Sequence, residues 1–199
     1  MTDVRIVLAS ASPRRADVLR QLGLAPEVCP ADVDETYFPG ETPEQHVERL
    51  ARAKASAVAD AYTGALVVGG DTVVLDGATV MGKPRNGDDA TEVLLALAGR
   101  EHQVLSGLAI AGAHGIVSRV VCTRVRFRDF SADDARAYVS SGEPLDKAGS
   151  YGIQGLGAAL VAGISGDYYA VVGFPVAAFI DLLTEAGWRY DFGRVVPRP

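Results

Sequence analysis

A chain of 199 residues with 48% hydrophobic and 22% charged content has the composition of an ordinary globular domain and is long enough to bury its own core. Acidic residues outnumber basic ones 25 to 19, a formal net charge of −6, so no global basic field exists to attract nucleic acid and any anionic ligand must be drawn by a local cluster. Cys29 and Cys122 form no CxxC pair and have no histidine at metal-ligand spacing, which argues against a zinc site and a secreted disulfide scaffold. The start MTDVRIVLASASPRR lacks a signal-peptide pattern and no apolar run reaches membrane-spanning length, so a cytoplasmic protein without membrane contact is expected.

Val4 to Ala9 reads as a buried strand, and Ser12 (N-cap) with Pro13 (first helical position) predicts a helix whose inner face carries Val18, Leu19 and Leu22. Arg14 and Arg15 fall in its first turn, where the helix dipole disfavours cations. Either an anion sits there, met by guanidinium forks, the hydroxyls of Ser10 and Ser12 and free backbone N–H groups, or the pair lies on a solvated face. A polar loop from Asp32 to Gly40 carries Asp34 and Glu35. Thr42-Pro43-Glu44-Gln45 is a capping box that opens a helix running to about Ala61, with Val47, Leu50, Ala51, Ala55 and Val58 as its apolar stripe. Lys54 shares that stripe; it either snorkels to solvent or reaches a cleft beside Asp71.

The central stretch is VVGGDTVVLDGATVMGKP, Val67 to Pro84. An apolar strand ends in two glycines and delivers Asp71, a carboxylate that costs several kcal/mol, roughly, if buried without a partner. Thr72 follows, Asp76-Gly77 suits a tight hairpin, and the return leg can bring Lys83 back beside Asp71. A structural ion pair and a catalytic site both remain open on this stretch alone. Further on, Asn86 or Asp88 caps a helix closed by Gly99, and His102 to Ala111 and Ile116 to Phe127 are strands. In the second of these, Val121, Thr123, Val125 and Phe127 alternate with Cys122, Arg124 and Arg126, which places the arginines on a solvated face. Ser131 starts another helix, ending at Gly142. The glycine-rich run GEPLDKAGSYGIQGLG, Gly142 to Gly157, matches neither a P-loop nor a dinucleotide fingerprint, yet intersperses Glu143, Asp146, Lys147, Tyr151 and Gln154. Strands over Ala158 to Ile164 and Tyr168 to Val172, a last helix through Ala186 and a peripheral tail complete the expectation.

The motifs LASASPRR (Leu8 to Arg15), GGDTVV with GKP, GEPLDKAGSYGIQG and GDYYAVVGFP, with the Lys54 helix, resemble the Maf-like nucleoside triphosphate pyrophosphatases, named for septum formation, over most of the chain. The resemblance implies an α/β fold with a mixed, elongated, twisted sheet flanked by helices, two lobes around a nucleotide-binding cleft within one domain over residues 1–199, and often a homodimer. It implies hydrolysis between the α- and β-phosphates of a nucleoside triphosphate with a divalent metal, Mg2+ or Mn2+. Carried over by position, Asp71 is the proton acceptor and, with Glu35, a metal position. Lys54 and Lys83 are catalytic, and Ser10, Arg14, Arg15, Thr72, Lys147 and Gln154 bind substrate. YGIQG is the form of the branch acting on dTTP and UTP; Gly70, where alanine is frequent, and Phe174, where GLP is usual, depart from the pattern. The competing class is a nucleotide-sensing regulator of cell division without turnover; a nucleic-acid binder is disfavoured by the acidic balance and 7% aromatic content.

Overall fold

In a computed structural model that describes residues 4–198, two short strands, two helices and one long strand come first: β1 (Ile6–Leu8), α1 (Pro13–Gln21), β2 (Glu27–Val28), α2 (Pro43–Ala59) and β3 (Leu66–Asp76). They are followed by β4 (Thr79–Met81), α3 (Gly87–Leu97), β5 (Glu101–Gly112), β6 (Gly115–Phe127) and α4 (Ala132–Ser140). After three short 3-10 segments come β7 (Val161–Ser165), α5 (Tyr168–Val172), α6 (Val176–Glu185), β8 (Trp188–Tyr190) and β9 (Val195–Pro197). The sheet order is β2-β1-β3-β5-β6-β7 with β4 on β3, and β8 pairs with β9 separately. β1 runs parallel to β2 and β3 while β3–β4 and β6–β7 are antiparallel, so the sheet is mixed, as expected. The chain divides into two compact units, residues 4–71, 106–121 and 173–198 in one and residues 72–105 and 122–172 in the other, so β3, β5 and β6 each contribute to both.

In the first unit both helix starts form as their sequences predict. Ser12 accepts from the Arg15 N–H, and the Thr42 and Gln45 side chains cap each other's backbone. Helix α2 buries Ala51, Ala55 and Val58 against Val7 of β1, Ala9 just after it, Val67 of β3 and Ala109 of β5. Two glycines let it come close. A Cβ on Gly69 of β3 would lie 2.2 Å from the Ala51 carbonyl oxygen, and one on Gly107 of β5 would lie 2.3 Å from that of Val47. The tail is not peripheral: Val195 and Val196 are buried, Tyr190 donates to the Leu22 carbonyl at 2.7 Å, and Val4 N–H reaches the Val195 carbonyl at 3.5 Å. Its hairpin joins the core through backbone and ring contacts, which have no periodicity to read in three-residue strands.

In the second unit, the Asp76-Gly77 turn closes the β3–β4 hairpin with Asp76 opposite Thr79 and Gly77 at φ 59. Thr123, Val125 and Phe127 point inward from β6 while Arg124 and Arg126 are exposed, the alternation read from the sequence. Tyr168 to Val172 is helix rather than strand. Asp167 decides it: its N–H donates to Thr123 Oγ1 at 3.0 Å, and its carboxylate accepts from the Tyr169 N–H at 2.8 Å, an Asx turn that starts a helical turn despite aromatic and β-branched residues. Strand β7 likewise begins only at Val161, because Leu156–Leu160 is a 3-10 segment.

Gly69→Ala should lower the unfolding free energy by about 1–3 kcal/mol, because a methyl group there meets helix backbone that cannot yield as a side chain does. Gly82→Ala, with nothing within 4 Å of the added methyl, is the control. Urea titration of both variants checks this, and equal stabilities would contradict the close approach.

Candidate active site

Alternate residues of a strand share a face, so Asp71 lies on the face of β3 that Gly69 presents to α2. Lys54, three residues beyond Ala51, points down onto it: its ammonium donates to Asp71 Oδ1 at 2.8 Å and pairs with Glu35 Oε1 at 2.6 Å. Only 10% of the lysine side chain and 13% of the aspartate are exposed, against 60% of Glu35, so the pair is held in place while the glutamate is accessible. Lys54 therefore reaches the carboxylate rather than snorkelling. Of the two lysines that the sequence offers to Asp71, Lys54 is held on it by the narrow spacing over Gly69, which brings the helix stripe down on the strand end; Lys83 belongs to the second unit, where it is exposed.

Arg15 comes to the same centre from the first turn of α1. Its Nε donates to the Gly173 carbonyl and its Nη1 to Ser10 Oγ, both at 2.9 Å, and the Ser12 N–H also donates to Ser10 Oγ, at 3.2 Å. Ser10 is buried, and Phe174, next to Gly173, is buried against Phe179. Gly70 keeps room for the guanidinium, since a Cβ there would stand 3.2 Å from Arg15 Nε. Loss of hydration pushes the Arg15 guanidinium below its usual value, the charges of Asp71 and Glu35 oppose that, and Arg14 adds to it. Lys54 thus touches both carboxylates, and Arg15, itself within range of the Arg14 charge, lies close enough to feel them, a local concentration of cations on a chain of net charge −6.

The loop that carries Glu35 is tied to α2 by a network that sequence reasoning missed. Glu41, with only 7% of its side chain exposed, accepts from Arg49 Nε at 2.6 Å and Nη2 at 2.9 Å, and from the Phe38 N–H at 3.1 Å, and it meets His46 Nδ1 at 3.0 Å. Arg49 also donates to the Thr36 carbonyl at 2.9 Å and lies 3.9 Å over the Phe38 ring, while Tyr37 stacks on His46 at 3.4 Å. Arg49 recurring one helical turn after Gln45, with an acidic residue just ahead of the N-cap, was the available signal.

The second unit holds the other predicted residues. Thr72 is half-buried at its start, and Lys83 and Gln154 are exposed. The Gly149 N–H donates to the Gly82 carbonyl at 3.2 Å, which pins the segment before Lys83 to the glycine-rich turn. Lys147 is engaged by Asp146 Oδ1 at 2.6 Å and by the Glu143 carbonyl. Among the described residues no group of three or more His, Cys, Asp or Glu is arranged to hold a metal ion, and no helix is long and apolar enough to cross a membrane.

The fold and this centre define an α/β protein with a cation-rich carboxylate site fit for a phosphate chain. The family described as Maf-like protein matches residues 5–186, and the chain belongs to that family. It is 49% identical over 188 residues to a protein of Myxococcus xanthus named dTTP/UTP pyrophosphatase, covering 92% of this chain and 95% of that one. A protein of the same name from Anaeromyxobacter dehalogenans is 48% identical, with 96% and 98% covered. Among solved structures, a HAM1 protein from Coxiella burnetii aligns at 19% identity with a TM-score of 0.48 over 92% of this chain and 99% of that one, too distant to bear on the site.

Hydrogen bonds from Arg49, above all, hold the Glu41 carboxyl down to about 2 from its ordinary 4.5, outweighing the opposing effect of burial, with Phe38 N–H and His46 adding to the lowering. The folded state therefore binds this proton more weakly than the unfolded state, so the stability it supplies is complete above pH 4.5 and is lost as pH falls from there toward 2. Glu41→Gln should make acid destabilisation shallower across that window. An unchanged pH slope of Tm would contradict the network.

Proposed function

We propose that this chain is a nucleoside triphosphate pyrophosphatase that hydrolyses dTTP and UTP to the monophosphate and pyrophosphate. The observation that carries the proposal is the Lys54-bridged pair of Asp71 and Glu35 beside Arg14 and Arg15. The names borne by relatives 44–49% identical over at least 90% of this chain support the choice of nucleotides.

Phosphoryl transfer asks for an oriented water, neutralisation of charge on the phosphate oxygens, and little else from the protein. Asp71 accepts the proton of the water, whose oxygen bonds to the α-phosphorus as the bond from that phosphorus to the bridging oxygen breaks and pyrophosphate leaves. Lys54, Arg14 and Arg15 neutralise the charge that accumulates, and Ser10 keeps Arg15 aimed. In the second unit, Lys83 and Lys147 are further phosphate partners, and Thr72 and Gln154 read the base. The Gln154 amide has both a donor for O4 and an acceptor for N3–H, the edge that uracil and thymine share and cytosine reverses.

The same reading includes a divalent cation at this centre. Two carboxylate oxygens already converge on one positive charge, that of Lys54, and oxygen is the ligand that Mg2+ or Mn2+ prefers. Asp71 and Glu35 would hold it, with water and phosphate oxygens completing the shell, and it would lower the pKa of a bound water and neutralise phosphate charge.

The test is a nucleotide panel with product identification: dTTP and UTP should be turned over fastest, with pyrophosphate and no orthophosphate at early times. Binding without turnover would favour the regulator of cell division instead. Asp71→Asn should keep the fold and lose on the order of 10²-fold or more in kcat, since an amide neither accepts the proton nor holds a cation as a carboxylate does. A folded Asp71→Asn protein with wild-type turnover would remove Asp71 from the reaction.

A further inference from the structure

The glycine-rich segment contains a carboxylate to which the reaction assigns no part. Glu143 follows Gly142, which stands at φ 78, and opens the 3-10 turn Glu143–Asp146 just after α4. Its Oε1 accepts from the Tyr138 hydroxyl at 2.8 Å and from the Gly157 N–H at 3.0 Å, and its Oε2 accepts from the Leu156 N–H at 2.7 Å. The Tyr138 oxygen in turn accepts from the Gly152 N–H at 3.0 Å. Backbone on both sides of Gln154 therefore hangs on one carboxylate and one phenol. Burial alone pushes the Glu143 carboxyl up, but the hydrogen bonds from Gly157, Tyr138 and Leu156 and the charge of Lys147 outweigh it and hold the group below its usual range, so it is a carboxylate at neutral pH.

The glycines fit around these two groups. A Cβ on Gly155 would lie 2.3 Å from Glu143 Oε2, one on Gly157 would lie 2.6 Å from the Tyr138 oxygen, and one on Gly152 would lie 3.0 Å from Glu143 Oε1. The spacing of glycines in GIQGLG is thus explained by what occupies the inside of the turn rather than by a need for flexibility. Gln154 itself is exposed and has no hydrogen bond of its own among the described residues. An exposed amide that can flip distinguishes two bases only if the backbone beneath it has one shape.

We propose that Glu143 is a positioning residue that sets base selectivity by holding the Gly152–Gly157 turn, and with it Gln154, in a single conformation. The inference rests on the dTTP/UTP reading. Glu143→Gln preserves size but turns one acceptor oxygen into a donor, so either Leu156 N–H or the Gly157 and Tyr138 donors face an N–H group instead of an oxygen.

The experiment compares wild type, Glu143→Gln and Tyr138→Phe as full-length proteins well below their melting temperatures, with UTP and CTP as paired substrates that differ at the base edge. The UTP-to-CTP ratio of kcat/KM should fall by about 10-fold in Glu143→Gln through a rise in KM for UTP, with kcat for UTP within about threefold of wild type. Hydrogen exchange at the Leu156 and Gly157 amides should quicken in the same variant. A loss that is equal for UTP and CTP, or an unchanged ratio, or unchanged exchange at those amides, overturns the inference. Should Glu143→Gln fail to fold, Tyr138→Phe, which removes only the bridging hydroxyl, carries the same readouts. A wild type that does not distinguish UTP from CTP overturns the dTTP/UTP reading and the selectivity role with it; a discriminating wild type whose ratio survives both substitutions overturns the role of Glu143 alone.

Discussion

The contact between Lys54 and Asp71 depends on how closely α2 can lie on the sheet. An ammonium and a carboxylate that are both about nine-tenths shielded have lost most of their hydration, and such pairs return little net stability because desolvation offsets their attraction. The chain nevertheless builds one at a close approach, where the backbones of β3 and β5 pass α2 at Gly69 and Gly107 with no room for a methyl group. Anchoring a lysine in a small-residue interface fixes its reach, while Glu35 presents a second carboxylate on the accessible side. A site that must hold a polyanion gains from this arrangement, since the cations are oriented before the ligand arrives.

The second unit uses glycine for a related end. In the turn that carries Gln154, the missing side chains make space for Glu143 and Tyr138 instead of for a helix. Strain accumulates nearby: Ser150 stands at φ 58 with its hydroxyl buried and without a hydrogen-bond partner among the described residues, directly before Tyr151. Tyr151 meets His102 Nε2 at 2.9 Å, and burial pushes that imidazole down to about 4, so the histidine beneath the turn is neutral across the physiological range. Polar groups that neither pair fully nor charge make this a fixed support rather than a responsive one.

Much of this was legible in the chain because it is local. The caps at Ser12 and Thr42, the hairpin at Asp76-Gly77, the alternation through Thr123, Val125 and Phe127, and the placing of Lys54 on a buried stripe are all periodicities or short spacings. What was not legible depends on partners distant in sequence. Tyr168 to Val172 looks like a strand until Thr123 holds Asp167 and lets it start a helix. The tail looks peripheral until its valines are seen inside the core, and the Glu41, Arg49 and His46 network links a loop to the outer side of a helix where polar residues read as solvated surface. For Lys54 the sequence left snorkelling and a reach to Asp71 both open, and the choice between them was made by helix-to-strand spacing, which sequence does not display.

The central claim is that water attacks the α-phosphorus at the Asp71 centre. Hydrolysis of dTTP in 18O-labelled water, followed by mass spectrometry of both products, tests it most directly. The account predicts one labelled oxygen in thymidine monophosphate and none in pyrophosphate; label in the pyrophosphate, from attack at the β-phosphorus, would contradict it.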